Sequence, residues 1–201
     1  MTMSLQSRTA FLCAGILALA NPASAQWTVS FGVGSDRFWG GSEEVAPEGK
    51  SFRPYRPTVL GVGLEHRGQS MGLGLGVRYT AASLGLEGPD VLLAVEGAFT
   101  VVGLAPEVSY QLTTLGLGNQ LLVHLGPLLE LWHPVDEDWR VRAGGQVAVS
   151  LVVPLGGRFG LSFGGNVAVI SSPFQSDDLL NQYDLRPLWR RGIAAGLEYQ
   201  L

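Results

Sequence analysis

"MGLGLGVRY", residues 71–79, decides how this chain is read. Met71, Leu73, Leu75, Val77 and Tyr79 fall on one parity, and Gly72, Gly74, Gly76 and Arg78 on the other. Successive side chains of a strand point to opposite faces, so this is one apolar face backed by glycine and a single charge. A helical turn would scatter the same residues around every side.

The pattern recurs along the chain. Trp139, Val141, Val147, Val149, Leu151 and Val153 alternate with Arg140, Arg142, Gly144, Gln146 and Ser150. Phe159, Leu161, Phe163, Val167 and Val169 alternate with Gly160, Ser162, Gly164 and Asn166. Trp189, Ile193, Leu197, Tyr199 and Leu201 carry the period to the last residue. Alternation predicts eight strands: Gln26–Ser35, Pro57–Arg67, Met71–Ala82, Thr100–Thr114, Asn119–Trp132, Trp139–Val153, Arg158–Ile170 and Trp189–Leu201.

Residues 1–25 read differently. Arg8 precedes the apolar run Ala10–Ala20, and Ala23 and Ala25 frame a small-residue cleavage site before Gln26. That is the pattern of a cleavable secretory signal peptide, and the run is too short to span a bilayer, which takes ~20 apolar residues. The expected organisation is a signal peptide over 1–25 and one domain over 26–201. The single cysteine, Cys13, falls in the leader, so a disulfide scaffold is excluded. Formal net charge is −4, with no basic patch to suggest nucleic acid. Charged residues make up 15% of the chain against ~25% for ordinary soluble domains. An exported, apolar chain without a second long apolar run must hide that surface in a core or show it to lipid from strands.

The connections sort by length. "GQS", "LGLG" and "PLGG" are short; "FWGGSEEVAPEGKSFRPYR", Ser83–Phe99 and "SSPFQSDDLLNQYDLRPL" are long, and "HPVDED" is of medium length. Short turns on one rim and long loops on the other are how membrane barrels are connected. The opposite faces are mostly glycine, alanine and serine, a poor water-exposed surface but a suitable crowded lumen. Aromatic residues sit at the ends of the apolar faces: Trp27, Tyr110, Phe159 and Tyr199 toward the short turns, Tyr79, Trp139 and Trp189 toward the long loops. Ten steps from Trp189 to Tyr199, at ~3.3 Å each and tilted ~45°, give about 24 Å, close to the ~25 Å apolar band of such barrels. Pro106 and Pro127 fall inside strands, where each removes a ladder donor, and are expected to mark bulges. The expected fold is a closed eight-stranded antiparallel up-and-down transmembrane β-barrel, its last strand pairing with its first.

The region from Gln26 to Leu201 resembles the small eight-stranded bacterial outer-membrane barrels of the OmpA/OmpX type. The most specific stretch is "AAGLEYQL" at the end, which is similar to that family's C-terminal assembly signal through Gly196 and Tyr199. Ala194 stands where the family has a polar residue, and Leu201 where it usually has Phe. The resemblance implies residence in the outer membrane, recognition by the barrel-assembly machinery, and contact with outer-membrane lipid and lipopolysaccharide. It implies that Tyr199 marks the periplasmic interface and Trp189 the outer one. It names no extracellular ligand.

The parity places Glu65, Arg78, Glu107, His124 and Glu130 in the lumen, with Arg140, Arg142, Arg190 and Glu198. Arg67, Gln111, Gln146 and Asn166 share that face. Buried unpaired charge is costly, so acids and bases here are expected to pair into a network that plugs the lumen. The function this supports is a structural or surface-binding barrel with long outer loops. One alternative is an enzyme acting on lipid A or phospholipid, using a Ser or His with a carboxylate at the membrane rim. A second is a narrow channel lined by Arg78, Arg140 and Arg142. His66, His124 and His133 are the available histidines; none sits in a nucleophile motif and no serine is paired with one locally, so no catalytic residue is assigned. No metal site or cofactor is expected. The loop acids Glu43, Glu44, Glu48, Asp136, Glu137, Asp138, Asp177 and Asp178 read as solvated. "GLGLG" lies within a strand with no following helix, which rules out a phosphate loop.

Overall fold

The structure is a computed structural model that describes residues 26–44, 51–87, 92–135, 138–174 and 183–201. The leader lies outside these residues, as do Glu48, Asp136, Glu137, Asp177 and Asp178 and the side chains of Glu43 and Glu44. Eight strands follow in order: β1 Gln26–Glu44, β2 Ser51–Arg67, β3 Met71–Glu87, β4 Leu92–Leu115, β5 Asn119–Pro134, β6 Arg140–Gly156, β7 Phe159–Ile170 and β8 Tyr183–Gln200. Each pairs with its sequence neighbours, and β8 closes on β1. All pairings are antiparallel. Closure leaves no open strand edge, the condition for a sheet to sit in hydrocarbon.

The β1–β8 seam runs from Thr28↔Gln200 to Glu44↔Tyr183, broken by one register shift between Gly40 and Ser42. At its foot the amide of Leu201 donates to the carbonyl of Trp27 at 2.8 Å. The terminal residue therefore adds a rung to the closing seam.

The strands are longer than the alternation indicates. Most of the stretch read as the first long loop is strand, since β1 continues to Glu44 and β2 begins at Ser51. β3 runs to Glu87, β4 starts at Leu92, and β8 starts at Tyr183. Register shifts between Gly40 and Ser42, Tyr55 and Thr58, and Ala82 and Leu84 explain the difference. Each shift adds one or two residues to one strand of its pair, so a regular two-residue register stops there although pairing continues. One rim thus carries short turns, and the other carries paired hairpin extensions.

Pro106 and Pro127 are not bulges. The β4–β5 pairing passes from Leu104↔Leu129 to Val108↔Leu125 without a change of register, and the two prolines stand opposite one another in the gap. Two missing donors on one rung remove the hydrogen bonds of that rung and its neighbours, which is why three partners in a row drop out. Beside the gap the Cα of Gly126 packs onto the Pro106 carbonyl, where a Cβ would collide. This Cα–H···O approach holds the strands where amide bonds are lost.

Phe31, Leu60, Leu75, Leu125, Val147, Phe163 and Ile193 represent an exposed apolar face that runs around all the strands. A monomer in water rarely exposes more than a few hundred Å² of contiguous apolar surface, so this belt is a hydrocarbon-facing wall. The aromatic residues bound it. Trp27, Tyr110 and Phe159 are exposed near the short turns, with Tyr199 packed on Phe159 at 5.0 Å. Tyr79, Trp139 and Trp189 are exposed toward the other rim. Trp139 stands just before β6 and packs against His133 at 4.6 Å, the rings tilted by 45°. Trp39, in the stretch read as loop, belongs to the same ring and stacks on Trp189 at 6.2 Å.

Candidate functional site

The opposite face of every strand turns inward, and its side chains form layers along the barrel axis. Nearest the short-turn rim, Arg67 joins Glu65 at 2.5 Å, Glu198 at 3.5 Å and the side-chain oxygen of Gln120 at 3.5 Å. Ser109 donates to the second oxygen of Glu65. Directly above, His124 shares a hydrogen bond with Ser150 through Nε2 at 2.8 Å, and its Nδ1 lies 3.3 Å from Glu107.

At mid-height the wall thins to glycine and small residues. A cavity of about 250 Å³ lies there, bounded by Gly32, Gly61, Gly76, Ala148, Gly164 and Gly196 and by the polar side chains of Arg78, Glu107, His124, Ser150 and Asn166. The lumen is therefore not filled end to end, as a crowded eight-stranded interior leads one to expect. That volume holds several waters at ~30 Å³ each. Two of its polar groups stand out. Asn166 Nδ2 and His124 Nδ1 are buried without a hydrogen-bond partner; His124 meets Ser150 through Nε2, and Glu107 lies 3.3 Å from Nδ1.

Above the cavity lies a second charged layer. Asp36 accepts from Arg78 at 3.0 Å and stands 3.4 Å from Arg190. Arg190 also pairs with Glu130, which accepts from the indole N–H of Trp132 at 3.0 Å. Two acids and two bases balance, and Glu130 is only 1% exposed. Such a group is tolerable in low dielectric only when every charge has its counter-charge. Over it sits an apolar lid of Phe38, Phe99, Leu128, Trp132, Ile170, Phe174 and Leu188. Trp132 packs edge-on against Phe38 at 6.3 Å and Phe99 at 5.9 Å, a favoured aromatic geometry. Arg190 also faces the Phe38 ring at 6.0 Å.

The inward charges thus fall into three separate places. Glu65, Glu107, His124 and Glu198 gather below the cavity, and Arg78, Glu130 and Arg190 above it. Arg140 and Arg142 stand on β6 across from Trp132 and Glu130, and each donates to the Pro173 carbonyl at 3.3 Å. Arg78 is not brought together with them, so the three do not line one pore. Gln111 stays at the short-turn rim and donates to Thr114 at 2.8 Å. His66 lies at the same rim, packed against Trp27 at 4.7 Å with the rings tilted by 45°. Of the terminal residues singled out, Gly196 is lumen-facing, where a Cβ would press on Phe31 O (2.7 Å) and Ser162 Oγ (2.9 Å). Tyr199 and Leu201 lie at the foot of the wall.

Sequence reasoning missed Asp36, Phe38 and Ser109, and put Ser150 on the polar face without a partner. Asp36 and Phe38 lie just past the predicted end of β1. Ser150 and His124 are 26 residues apart and meet only because β5 and β6 pair in this register.

No family model matches the chain, and no curated protein matches it. Solved structures do. The neisserial surface protein A, NspA, superposes with a TM-score of 0.60 at 9% identity, over 89% of this chain and 99% of its own. The outer-membrane protein OprG of Pseudomonas aeruginosa gives 0.54 at 12%, over 89% and 96%. A major outer-membrane protein of Thermus thermophilus gives 0.50 at 15%, over 87% and 99%. At such identities the likeness is one of architecture: the chain has the fold of the small eight-stranded outer-membrane β-barrels.

Proposed function

We propose that this protein is a bacterial outer-membrane barrel with a structural or surface-interaction role, its lumen plugged and its long-hairpin rim turned outward. The observation that carries the reading is the aromatic lid closed over the Asp36–Arg78–Arg190–Glu130 group. A lumen meant to conduct would keep a hydrated path there, whereas this one invests its largest side chains in blocking it. Contact with lipid and lipopolysaccharide on the outer wall, and delivery by the barrel-assembly machinery through the "AAGLEYQL" tag, belong to the same reading. Two measurements test it. The protein should fractionate with outer membranes and migrate differently on gels before and after heating; a detergent-free soluble monomer overturns the membrane barrel. Planar-bilayer recordings should be silent, and steady conductance overturns the plug.

A second reading is favoured by the alignment of Ser150, His124 and Glu107 along the cavity. Hydroxyl, imidazole and carboxylate stand in the order of nucleophile, base and orienting acid. Asn166, one pleat step from Ser150 on the neighbouring strand, lines the same cavity and carries a buried amide N–H without a partner. In this reading the barrel cleaves a small ester that fits inside the lumen, which differs from the rim chemistry on lipid A or phospholipid expected of the sequence. Labelling of the folded barrel by a small fluorophosphonate, lost in Ser150→Ala, supports it; an unlabelled wild-type protein rules it out.

A further inference from the structure

Arg37 and Arg191 are direct cross-strand partners on the outer wall, and both side chains are exposed. Like charges facing each other across a ladder are destabilising. They are also in an unfavourable place. One pleat step toward the rim from them lies the Trp39↔Trp189 pair. The arginines thus leave the wall ~6.6 Å along the strand inside the aromatic ring, about 5 Å in depth at ~45° tilt. On β7 the next partner across from Arg191 is Val167. A charge on the lipid face of a barrel is costly in a depth-dependent way.

The side chains answer part of this. The Arg191 guanidinium climbs to 5.9 Å from the Trp39 ring, so its head reaches interfacial height while its stem covers apolar wall. That contact does not neutralise either charge. Among the described residues, neither arginine has a carboxylate within ion-pair distance. The inward arginines Arg67, Arg78 and Arg190 are all matched to acids. The outward pair is not, and the Arg191 head, beside Trp39, reaches the level of the aromatic ring.

We infer that Arg37 and Arg191, framed by Trp39 and Trp189, form a clamp for the phosphate of an outer-leaflet lipid, the phosphorylated glucosamine headgroup of lipid A. Two guanidiniums on one rung present paired N–H donors to a single phosphate, the arrangement in which arginine binds such groups most strongly. The phosphate removes the repulsion between them, and the apolar wall below, with Val33, Val167 and Ile193, receives the acyl chains. The source is the lipid and not free phosphate, because the site opens sideways into the membrane. The inference rests on the membrane-barrel reading above.

The test uses the full chain folded into phosphatidylcholine nanodiscs, titrated with bisphosphorylated lipid A and followed by native mass spectrometry. Heat-dependent gel migration of each sample reports the barrel separately, so failure of the barrel and failure of the clamp are distinguishable. Wild type should bind lipid A, and dephosphorylated lipid A should bind at least about tenfold more weakly, as expected for losing one charge-assisted pair. The Arg37→Gln/Arg191→Gln double variant should lose the preference for the phosphorylated form, and Arg37→Lys/Arg191→Lys should keep part of it. Equal binding of the two lipids, or a double variant that discriminates like wild type, overturns the clamp. Displacement of lipid A by millimolar inorganic phosphate alone would assign the site to a free ion and overturn the lipid assignment.

Discussion

Toward the long-hairpin rim the lumen holds two acids and two bases under an aromatic lid; toward the short-turn rim it holds Glu65, Glu198 and Glu107 against Arg67 and His124, beside a cavity of about 250 Å³. The Asp36 and Glu130 side chains are 2% and 1% exposed above, while those of Glu198 and Glu107 are 12% and 22% exposed below. The dry cluster needs charge balance because no solvent can stand in for a missing partner. The lower cluster tolerates an excess of carboxylates because the cavity and the open rim hydrate them. Closure of this barrel is therefore built at one end, and each half should respond differently to the same kind of change.

The largest effect is expected at Glu130. Glu130→Ala leaves buried Arg190 with Asp36 as its one acid, at 3.4 Å and shared with Arg78, and strips the Trp132 indole of its acceptor. The loss should be about 3–5 kcal/mol, as for breaking one side of a buried pair. Urea titration of the folded barrel in lipid vesicles measures it. Replacing Glu130 and Arg190 together by Met should recover much of that loss, since no orphan charge remains; a double variant worse than Glu130→Ala would show that the charges themselves hold the upper lumen together.

The matching change below is Arg67→Gln. It frees Glu65 and Glu198 from their shared cation, and their side chains are 11% and 12% exposed against 1% for Glu130. The expected loss is about 2 kcal/mol in the same titration, the scale of a charge-assisted hydrogen bond. A loss as large as that of Glu130→Ala would erase the contrast between the two ends.

How much of this was legible beforehand follows from the same contrast. The glycine and serine parity that marks the lower and middle lumen runs unbroken through Met71–Tyr79 and Phe159–Val169, so its faces could be read directly. The upper lumen was legible only in part: parity put Arg78, Glu130 and Arg190 on the inner face, but Asp36 and Phe38 lie past the predicted end of β1 and Phe174 lies in the connection after β7. Which charges meet was illegible for another reason. Arg190 and Glu130 are 60 residues apart, and Arg67 and Glu198 are 131 apart. Those meetings depend on the stagger at which the barrel closes, which no local pattern encodes.

The smallest effects separate glycines that look alike in sequence. Gly192 and Gly76 both occupy inward positions, yet a Cβ at Gly192 runs into the Asp36 carboxylate and Asn166, whereas one at Gly76 meets only Ala105 at 3.7 and 3.8 Å. Gly192→Ala must displace Asp36 from Arg78 and Arg190, and should lose about 1–3 kcal/mol, as overpacking does. Gly76→Ala projects into the cavity and should gain about 0.5 kcal/mol, because alanine loses less backbone entropy on entering a strand. Both are read from urea midpoints. The pair isolates what the cavity is: if Gly76→Ala destabilised as much as Gly192→Ala, the middle of the lumen would be packed, and the division into a dry end and a hydrated end would fail.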